Sequence, residues 1–325
     1  MPFKLSWPGK SKSPRTDLWN RLKRFRDYAP IASLEPVKDR EIDVAKPSQL
    51  IDLSALLCEA GDYTTALYCI RRARRRIPDI TDRFRYLGAT AALARLDPAL
   101  AAEYPLDVAA MAHLDRFNDR FAELIERHRD SICVVGNGPT EIGHGRGREI
   151  DEHDLVIRFN GFSTGPQHRP DYGEKTDIWV RHHHYRQIAR RPGFTPQLTI
   201  CSSTLPWRVR NGQNLAIEYA TQDLALTYCP TLVAVRLAEQ CGARASAGLR
   251  ALEWIRQILG GLSSVHVYGF SREAEQDSNA HYYLKASSNN ASHDWSAEKR
   301  LLNEMLAQSA NAPERAEGAA KTPAA

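Results

Sequence analysis

Two short apolar runs stand out in the middle of the chain, at residues 132–135 and 155–159, and polar or glycine-rich sequence bounds both. Runs of about four to eight β-favouring residues that stop at a glycine turn are typical of buried strands. The first run stops at Gly136-Asn137-Gly138-Pro139 and the second at Asn160. Ligands of open α/β sheets bind at the carboxyl ends of the strands, so the pattern predicts both Asn residues at one ligand-binding edge. An ordinary strand–turn–strand unit accounts for the spacing equally well, because glycine turns after strands are common.

The first third of the chain follows a helical period instead. From Gln49 onward, apolar and small residues recur at helical spacing, Gly61 and Asp62 interrupt the pattern, and Pro78 ends it. We expect two helices joined by a tight turn. The small residues resemble those of one tetratricopeptide unit with a weaker copy after it, and so few units need a neighbouring domain to pack on. A plain helical hairpin of the next domain is the alternative.

The remaining pattern sets the predicted domain boundaries. A stripe of apolar residues predicts a helix over 112–129 that leads directly into the first strand. Residues 1–45 are basic and interrupted by prolines, with helical spacing only over 17–28. The chain is therefore predicted to divide into a basic tail (1–45), a tetratricopeptide-like helical region (46–110), an α/β domain (111–307) and a disordered tail (308–325).

Composition narrows the class of protein. The 325 residues are 42% hydrophobic and 26% charged, as in ordinary soluble globular proteins, and a net charge of +5 is too small to indicate nucleic-acid binding. Residues 1–30 hold eight Lys or Arg against two Asp, so this tail is the expected place of any peripheral membrane contact. The sequence has no apolar stretch of roughly 18 residues and no apolar core behind its basic start, so neither a spanning helix nor a signal peptide is predicted.

Cysteine and histidine spacing predicts no metal site. The six cysteines are scattered without a C-x-x-C pair, which predicts free thiols in a reducing compartment. His182, His183 and His184 are consecutive. Because neighbouring side chains of a strand point to opposite faces, these three cannot readily bind one ion together.

Four short segments, in order along residues 129–307, resemble the motifs of family 29 glycosyltransferases, the sialyltransferase family. The first contains VVGNGP and HDLVIRFN and continues to YGEKTDIW at 172–179. The second is Ser246-Ala247-Gly248 followed by VHVYGF at 265–270. The third is His281-Tyr282-Tyr283, and the fourth is His293 and Glu298, with four residues between them.

The resemblance implies a fold and an activity. The fold is α/β, a variant of the nucleotide-sugar glycosyltransferase fold, in which a central, mostly parallel sheet is flanked by helices. The implied activity is inverting transfer of sialic acid or a related ulosonic acid from a CMP-sugar to a hydroxyl of a glycan acceptor. Kdo is the alternative donor sugar. No metal or other cofactor is expected, because the sequence lacks the Asp-x-Asp pair of metal-dependent nucleotide-sugar enzymes.

The resemblance also assigns residues to roles. His293 matches the family's base, which suits an imidazole because it titrates near pH ~6.5 and is mostly neutral at pH 7. Glu298 supports it, and Asp294 is the alternative base. His281 is expected to stabilise the leaving phosphate. The residues expected to bind the CMP-sugar are Asn137, Gly138, Asn160, Ser246, Ala247, Gly248, Gly269, Phe270 and Tyr283.

Departures from the family pattern carry further expectations. Ile132 and Leu262 stand where secretory members have a cysteine pair, so that disulfide cannot form. This indicates a cytoplasmic bacterial enzyme, peripheral to the inner membrane if the basic tail binds it. Ala247 replaces a Thr and Leu284 replaces an acid. These two changes favour the alternative of a non-catalytic CMP-sugar-binding adaptor that recruits a partner through its helical region.

Overall fold

The computed structural model describes Leu22 and residues 37–182, 194–202, 213–271, 281–284 and 293–310. His183 and His184 lie outside these residues, as do all of the helix predicted over 17–28 but Leu22, most of the predicted basic tail (1–45) and residues 311–325 of the second predicted tail. Seven helices occupy the described part of the chain before residue 117. They are α1 (Asp39–Val44), α2 (Pro47–Glu59), α3 (Tyr63–Arg76), α4 (Ile80–Phe84), α5 (Leu87–Ala94), α6 (Pro98–Glu103) and α7 (Pro105–Arg116).

The hairpin of α2 and α3 is the centre of the helical region. The predicted turn is confirmed: Gly61 has a φ of +83°, and the Asp62 side chain accepts a hydrogen bond from the Thr65 amide at 3.1 Å and so caps α3. Helix α3 ends at Arg76, two residues before Pro78, as predicted. Small residues on the inner face of α3, Ala66 and Ala73 among them, are fully buried in the core of this region.

The single helix predicted over 112–129 is wrong, because two helices occupy that stretch. Helix α7 ends at Arg116, and helix α8 runs over Arg120–Arg127. Between them Asn118 and Asp119 form a turn, which their short side chains favour. The apolar stripe survives the break, since Leu114, Phe121 and Leu124 are all buried. Helix α7 also runs across the predicted domain boundary at 110–111.

A six-stranded parallel sheet forms the centre of the fold, so the prediction of a mostly parallel α/β sheet is confirmed. Its strands are β1 (Ile132–Val135), β2 (Leu155–Phe159), β3 (Ile178–Arg181), β4 (Leu198–Cys201), β5 (Leu226–Tyr228) and β6 (Val265–Tyr268). They lie in the order β5-β4-β3-β2-β1-β6, with each neighbouring pair parallel. Strands β1 to β4 are buried along their whole length, which explains why all of their residues are apolar except Arg158, Arg181 and Thr199.

Helices cover the sheet and close its core. The remaining ones are α9 (Gly147–Asp151), α10 (Arg169–Tyr172), α11 (Gln213–Thr221), α12 (Thr231–Cys241), α13 (Ala247–Leu259) and α14 (Trp295–Ala310). Ile132 and Leu262, the two positions that lack cysteine, are buried in the same apolar core. The helical region packs on the β5 edge, where Leu87 and Met111 join Ala216 and Tyr219 in one apolar cluster.

The strand order places a crevice beside β1. The chain adds β2 to β5 on one side of β1 and then returns to add β6 on the other. Ligands of open α/β sheets bind at such a switch point, outside the carboxyl ends of the strands. In the described ranges, no helix combines the length and apolar character needed to cross a membrane.

Candidate active site

The loops after β1 and β6 meet at the switch point. The amide of Gly136 donates to the Tyr268 carbonyl and the amide of Gly138 to the Gly269 carbonyl, both at 2.7 Å. Gly269 has a φ of +68°, in the left-handed region that favours glycine. A Cβ atom on Gly269 would lie 2.4 Å from the Gly136 carbonyl oxygen. The two loops can therefore approach this closely only without side chains at these positions.

Asn137 is oriented by its amide group. Its Nδ2 donates to the carbonyls of Phe159 at 3.0 Å and Gly161 at 2.9 Å, so the side chain ties the β1 loop to the β2 loop. Its Oδ1 is buried and has no hydrogen-bond partner among the described residues. A buried carbonyl oxygen without a partner is costly, and a hydroxyl or amine of a ligand would satisfy it.

Asn160, at the end of β2, has a backbone conformation that is uncommon for residues other than glycine. It is one of two non-glycine residues of the described chain with positive φ, at 47°. Its Oδ1 accepts from the His182 amide at 2.9 Å, and its backbone carbonyl accepts from Trp179 Nε1 at 2.9 Å. These contacts hold the residue at the rim of the crevice. His182, the one described member of the histidine triplet, therefore acts here through its backbone amide.

Helix α13 begins at the crevice with a capped amino terminus. The Ser246 hydroxyl accepts from the Leu249 amide at 3.3 Å, as an N-cap does. The first helical residue is Ala247. The amides of Ala247 and Gly248 belong to the first turn, which has no intrahelical acceptors and carries the positive end of the helix dipole. Gly248 has no room for a Cβ, which would lie 2.6 Å from the Phe270 ring.

His293 lies beside this helix start with a defined tautomer. Its Nδ1 is 2.7 Å from the Arg244 carbonyl oxygen and 3.3 Å from Glu298 Oε1. Both atoms can only accept when the carboxyl is ionised, so Nδ1 carries the proton of the neutral ring and Nε2 is left to accept one. The side chain is 16% exposed, open enough to meet a substrate.

Glu298 connects the two helices of the site. It lies on the first turn of α14, is 6% exposed, and accepts the Ser246 amide at 2.8 Å. The same Oε1 faces His293. Asp294, the alternative base, accepts the Ala297 amide at 2.9 Å and so caps α14. Glu298 thus fixes the start of α13 and the imidazole relative to each other, and Asp294 is engaged in helix capping.

Residues 281–284 bring the imidazole of His281 and the aromatic ring of Tyr283 to the crevice. Tyr282 points inward: its ring stacks on Tyr172 at 3.8 Å, and its amide donates to the Asn137 carbonyl at 3.0 Å. His281 and Tyr283, one residue to either side, face the crevice. Burial lowers the pKa of His281, which favours the neutral ring, and its Nδ1 is buried without a partner among the described residues.

These groups surround one cavity of about 590 Å³, within the ~300–1,000 Å³ typical of ligand pockets. All twelve site residues that the sequence predicts line it. Their roles remain predictions. The described residues include no cluster of three or more His, Cys, Asp or Glu side chains arranged to hold a metal ion.

Sequence reasoning missed part of the wall. Trp295, Lys299 and Leu302 line the cavity together with Glu298. They lie at positions i, i+4 and i+7 of α14, the spacing of one helix face. That spacing is visible in the sequence, but it becomes a signal only once His293 is known to precede a helix.

Comparison with known proteins finds one family whose sequence model matches part of the chain. The sequence model of glycosyltransferase family 29 (sialyltransferase) matches residues 107–188, which contain Asn137 and Asn160. No curated protein matches the chain.

Two solved mammalian sialyltransferase structures are similar. One, in complex with Gal-beta-1-3GalNAc-ortho-nitrophenol, is 16% identical, with 63% of this chain and 77% of that chain covered and a TM-score of 0.43. The other is 17% identical, with 62% and 75% covered and a TM-score of 0.44. The family match confirms the resemblance inferred from the motifs over residues 107–188, and this part of the chain is therefore similar to the sialyltransferases of glycosyltransferase family 29.

Proposed function

We propose that this protein is an inverting, metal-independent glycosyltransferase that moves sialic acid, or a related ulosonic acid, from a CMP-sugar to a hydroxyl of a glycan acceptor. The observation that carries the proposal is the position of His293. Its protonated Nδ1 is bound to the Arg244 carbonyl, its Nε2 can accept a proton, and it lines the same cavity as the amino terminus of α13.

The residues support a single displacement. As the acceptor oxygen attacks the anomeric carbon of the donor, its proton passes to His293 Nε2 and a new C–O bond forms on that face. The C–O bond to phosphate breaks on the opposite face, and CMP leaves with the electron pair. Attack opposite to the leaving group inverts the anomeric centre. A positioned general base contributes roughly 10²–10⁴-fold to such a step.

Hydrogen-bond donors in the cavity can stabilise the negative charge that develops on the leaving phosphate. The first-turn amides of α13 and the His281 imidazole line the cavity. Prearranged donors of this kind are each worth about 3 kcal/mol in enzymes that stabilise an oxyanion. These donors can stabilise the phosphate without a cation, which is the basis for proposing that no metal is required. Asn137 Oδ1, buried and lacking a partner among the described residues, can accept from a hydroxyl of the nucleotide or sugar.

Cellular setting and acceptor follow as part of the proposal. We place the reaction in the bacterial cytoplasm, with a surface-glycan precursor as acceptor. In the same proposal the acceptor is lipid-linked and the basic tail brings the enzyme to the inner membrane. The six cysteines are buried and none of them forms a disulfide, which supports a reducing compartment.

The test is turnover with defined donors. Purified protein is incubated with CMP-sialic acid or CMP-Kdo and a panel of glycan acceptors, and released CMP and product configuration are measured. We expect acceptor-dependent CMP release, an inverted product, and an unchanged rate in EDTA. Absence of turnover with every CMP-ulosonic acid would refute the proposal, and a large loss in EDTA would refute its metal-free part.

A CMP-sugar-binding adaptor is the second candidate. Ala247 lines the cavity without a hydroxyl, and Leu284, 49% exposed, lines it where the family has an acid. Calorimetry with CMP followed by the turnover assay separates the two: an adaptor binds CMP without turning over any donor.

A further inference from the structure

Three charged side chains connect the β1 and β6 loops without lining the cavity. They lie on the segment that runs from β1 to the end of α9. Arg146 pairs with Glu149 at 3.0 Å and with Glu141 at 3.5 Å, so one guanidinium group joins two carboxylates. Both carboxylates also bind residues at the end of β6. This charged cluster of Glu141, Arg146 and Glu149 therefore fixes where the β6 loop begins.

Glu141 holds the backbone of the β6 loop. Its Oε1 accepts the Gly269 amide at 3.1 Å and the Thr140 hydroxyl at 2.8 Å. The Glu141 side chain is 13% exposed, so little water competes for these hydrogen bonds. One residue earlier in the chain, the Tyr268 hydroxyl donates to Glu149 Oε1 at 2.6 Å. The cluster thus holds a side chain and a backbone amide at consecutive positions, and Glu141 is the member that binds the backbone.

The position of Gly269 determines where the next side chain, Phe270, lies. The Phe270 ring fits between two glycines: a Cβ would lie 2.8 Å from the ring at Gly136 and 2.6 Å from it at Gly248. Gly136 belongs to the β1 loop and Gly248 to the first turn of α13, and both line the cavity together with Phe270. Because such a contact is close-packed on both sides, the ring has little freedom of its own. A shift of the Gly269 backbone would therefore move this part of the cavity wall.

We propose that Glu141 is a positioning residue of the donor site: by holding the Gly269 amide, it fixes the Phe270 ring at the place where the CMP part of the donor binds. The inference rests on the proposed function, because Gly248, Gly269 and Phe270 are among the residues expected to bind the CMP-sugar. Glu141 does not line the cavity and takes no part in the chemical step. Loss of its carboxylate therefore weakens binding of the donor and leaves the rate at saturating donor unchanged.

The experiment measures CMP binding by calorimetry and turnover by CMP release, both on the full chain. Glu141→Met keeps the length of the side chain and removes the acceptor of the Gly269 amide. Glu141→Gln keeps an acceptor oxygen and removes the charge. Glu152→Met is the matched control, because Glu152 lies at the end of α9, is 63% exposed and pairs only with Arg148 among the described residues, at 2.7 Å. Coinciding melting curves of the four proteins without CMP exclude misfolding as the cause of any difference.

We expect Glu141→Met to weaken CMP binding and to raise the donor KM about tenfold, as loss of a hydrogen bond to a charged group does, with kcat within about twofold. Glu141→Gln should lose no more than about threefold, and Glu152→Met should change neither quantity. Unchanged CMP binding in Glu141→Met, or a loss confined to kcat, would overturn the proposal. Failure of the unmodified chain to bind CMP would overturn it together with the proposed function. CMP binding without turnover would refute the proposed function alone, because calorimetry still tests Glu141.

A double-mutant cycle tests whether Glu141 acts through the Phe270 ring. Glu141→Met is combined with Phe270→Ala, and CMP binding is measured in the unmodified chain, the two single variants and the double variant. Residues that act as a unit have non-additive effects. Once the ring is absent, Glu141→Met should therefore weaken CMP binding by less than about twofold. The same tenfold loss in both backgrounds would overturn the proposal and give Glu141 a purely structural role.

Discussion

Two concave regions of the described part of the chain differ in how their polar atoms are satisfied. The cavity beside β1 has a volume of about 590 Å³, and a more open groove on α3 has about 970 Å³. In the groove, Arg71 pairs with Asp97 at 2.8 Å and Arg74 with Glu103 at 2.7 Å. In the cavity, Asn137 Oδ1, His281 Nδ1 and Trp295 Nε1 are buried with no partner among the described residues.

The buried polar atoms without partners indicate the candidate site more clearly than the volumes of the two regions do. A fold satisfies nearly all of its buried polar groups, so a group of unsatisfied ones in one place indicates where a ligand completes the hydrogen bonding. The groove needs no such completion, since the ion pairs of Arg71 and Arg74 are internal. Its exposed Tyr68 and Leu96 are ordinary for a protein surface.

The largest expected effect is at the proposed base. His293→Ala should lower turnover by about 10²–10⁴-fold, because a general base is lost, while CMP binding stays nearly unchanged. Turnover and calorimetry on the same preparation measure the two quantities. His144→Ala, which alters an exposed histidine, is the control and should retain full activity. Full turnover by His293→Ala would remove the reason to place chemistry in this cavity.

A second effect tests the close approach of the β1 and β6 loops. Gly269→Ala forces an L-residue into the left-handed region and places Cβ 2.4 Å from a carbonyl oxygen. Gly143→Ala has a similar φ of +79°, but a Cβ there meets nothing within 4 Å. We expect Gly143→Ala to cost about 1–2 kcal/mol of unfolding free energy, and Gly269→Ala to cost about 1–3 kcal/mol more from overpacking. Denaturant titration measures both, and equal losses would mean that the loops separate easily.

The smallest effect is expected in the groove. Arg74→Gln breaks an ion pair whose side chains are 33% and 36% exposed. It should change the free energy of unfolding by less than about 1 kcal/mol and leave turnover unaltered. Arg85→Gln is the contrasting variant, because it leaves the Asp107 carboxylate, 1% exposed, without its two hydrogen bonds at 2.7 and 3.0 Å. That variant should cost several-fold more, about 3 kcal/mol or above. A loss of turnover in Arg74→Gln would show that the groove takes part in function.

Local sequence was enough for the elements that depend on near neighbours. The sequence predicts the strands at 132–135 and 155–159 residue for residue, because short runs that are apolar at every position but Arg158 have no solvent-facing side and must be buried on both faces of a sheet. The single helix predicted over 112–129 is wrong, because the prediction used only the spacing of apolar residues. The apolar stripe is present and buried. Its spacing, however, does not show that the chain turns at Asn118 and Asp119 between two helices.

The sequence by itself determined the α/β class, the order of the motifs and twelve of the residues around the cavity, because residue type and spacing encode burial and motif identity directly. Tertiary structure alone decided which atoms face the cavity and which partners they have. The tautomer of His293 is set by the carbonyl of Arg244, 49 residues away, and the amide of Ser246 meets Glu298 across 52 residues. Lys299 reaches the cavity only because α14 packs beside α13. Such contacts depend on how elements that are distant in the sequence pack against each other, and a local sequence pattern does not specify that packing.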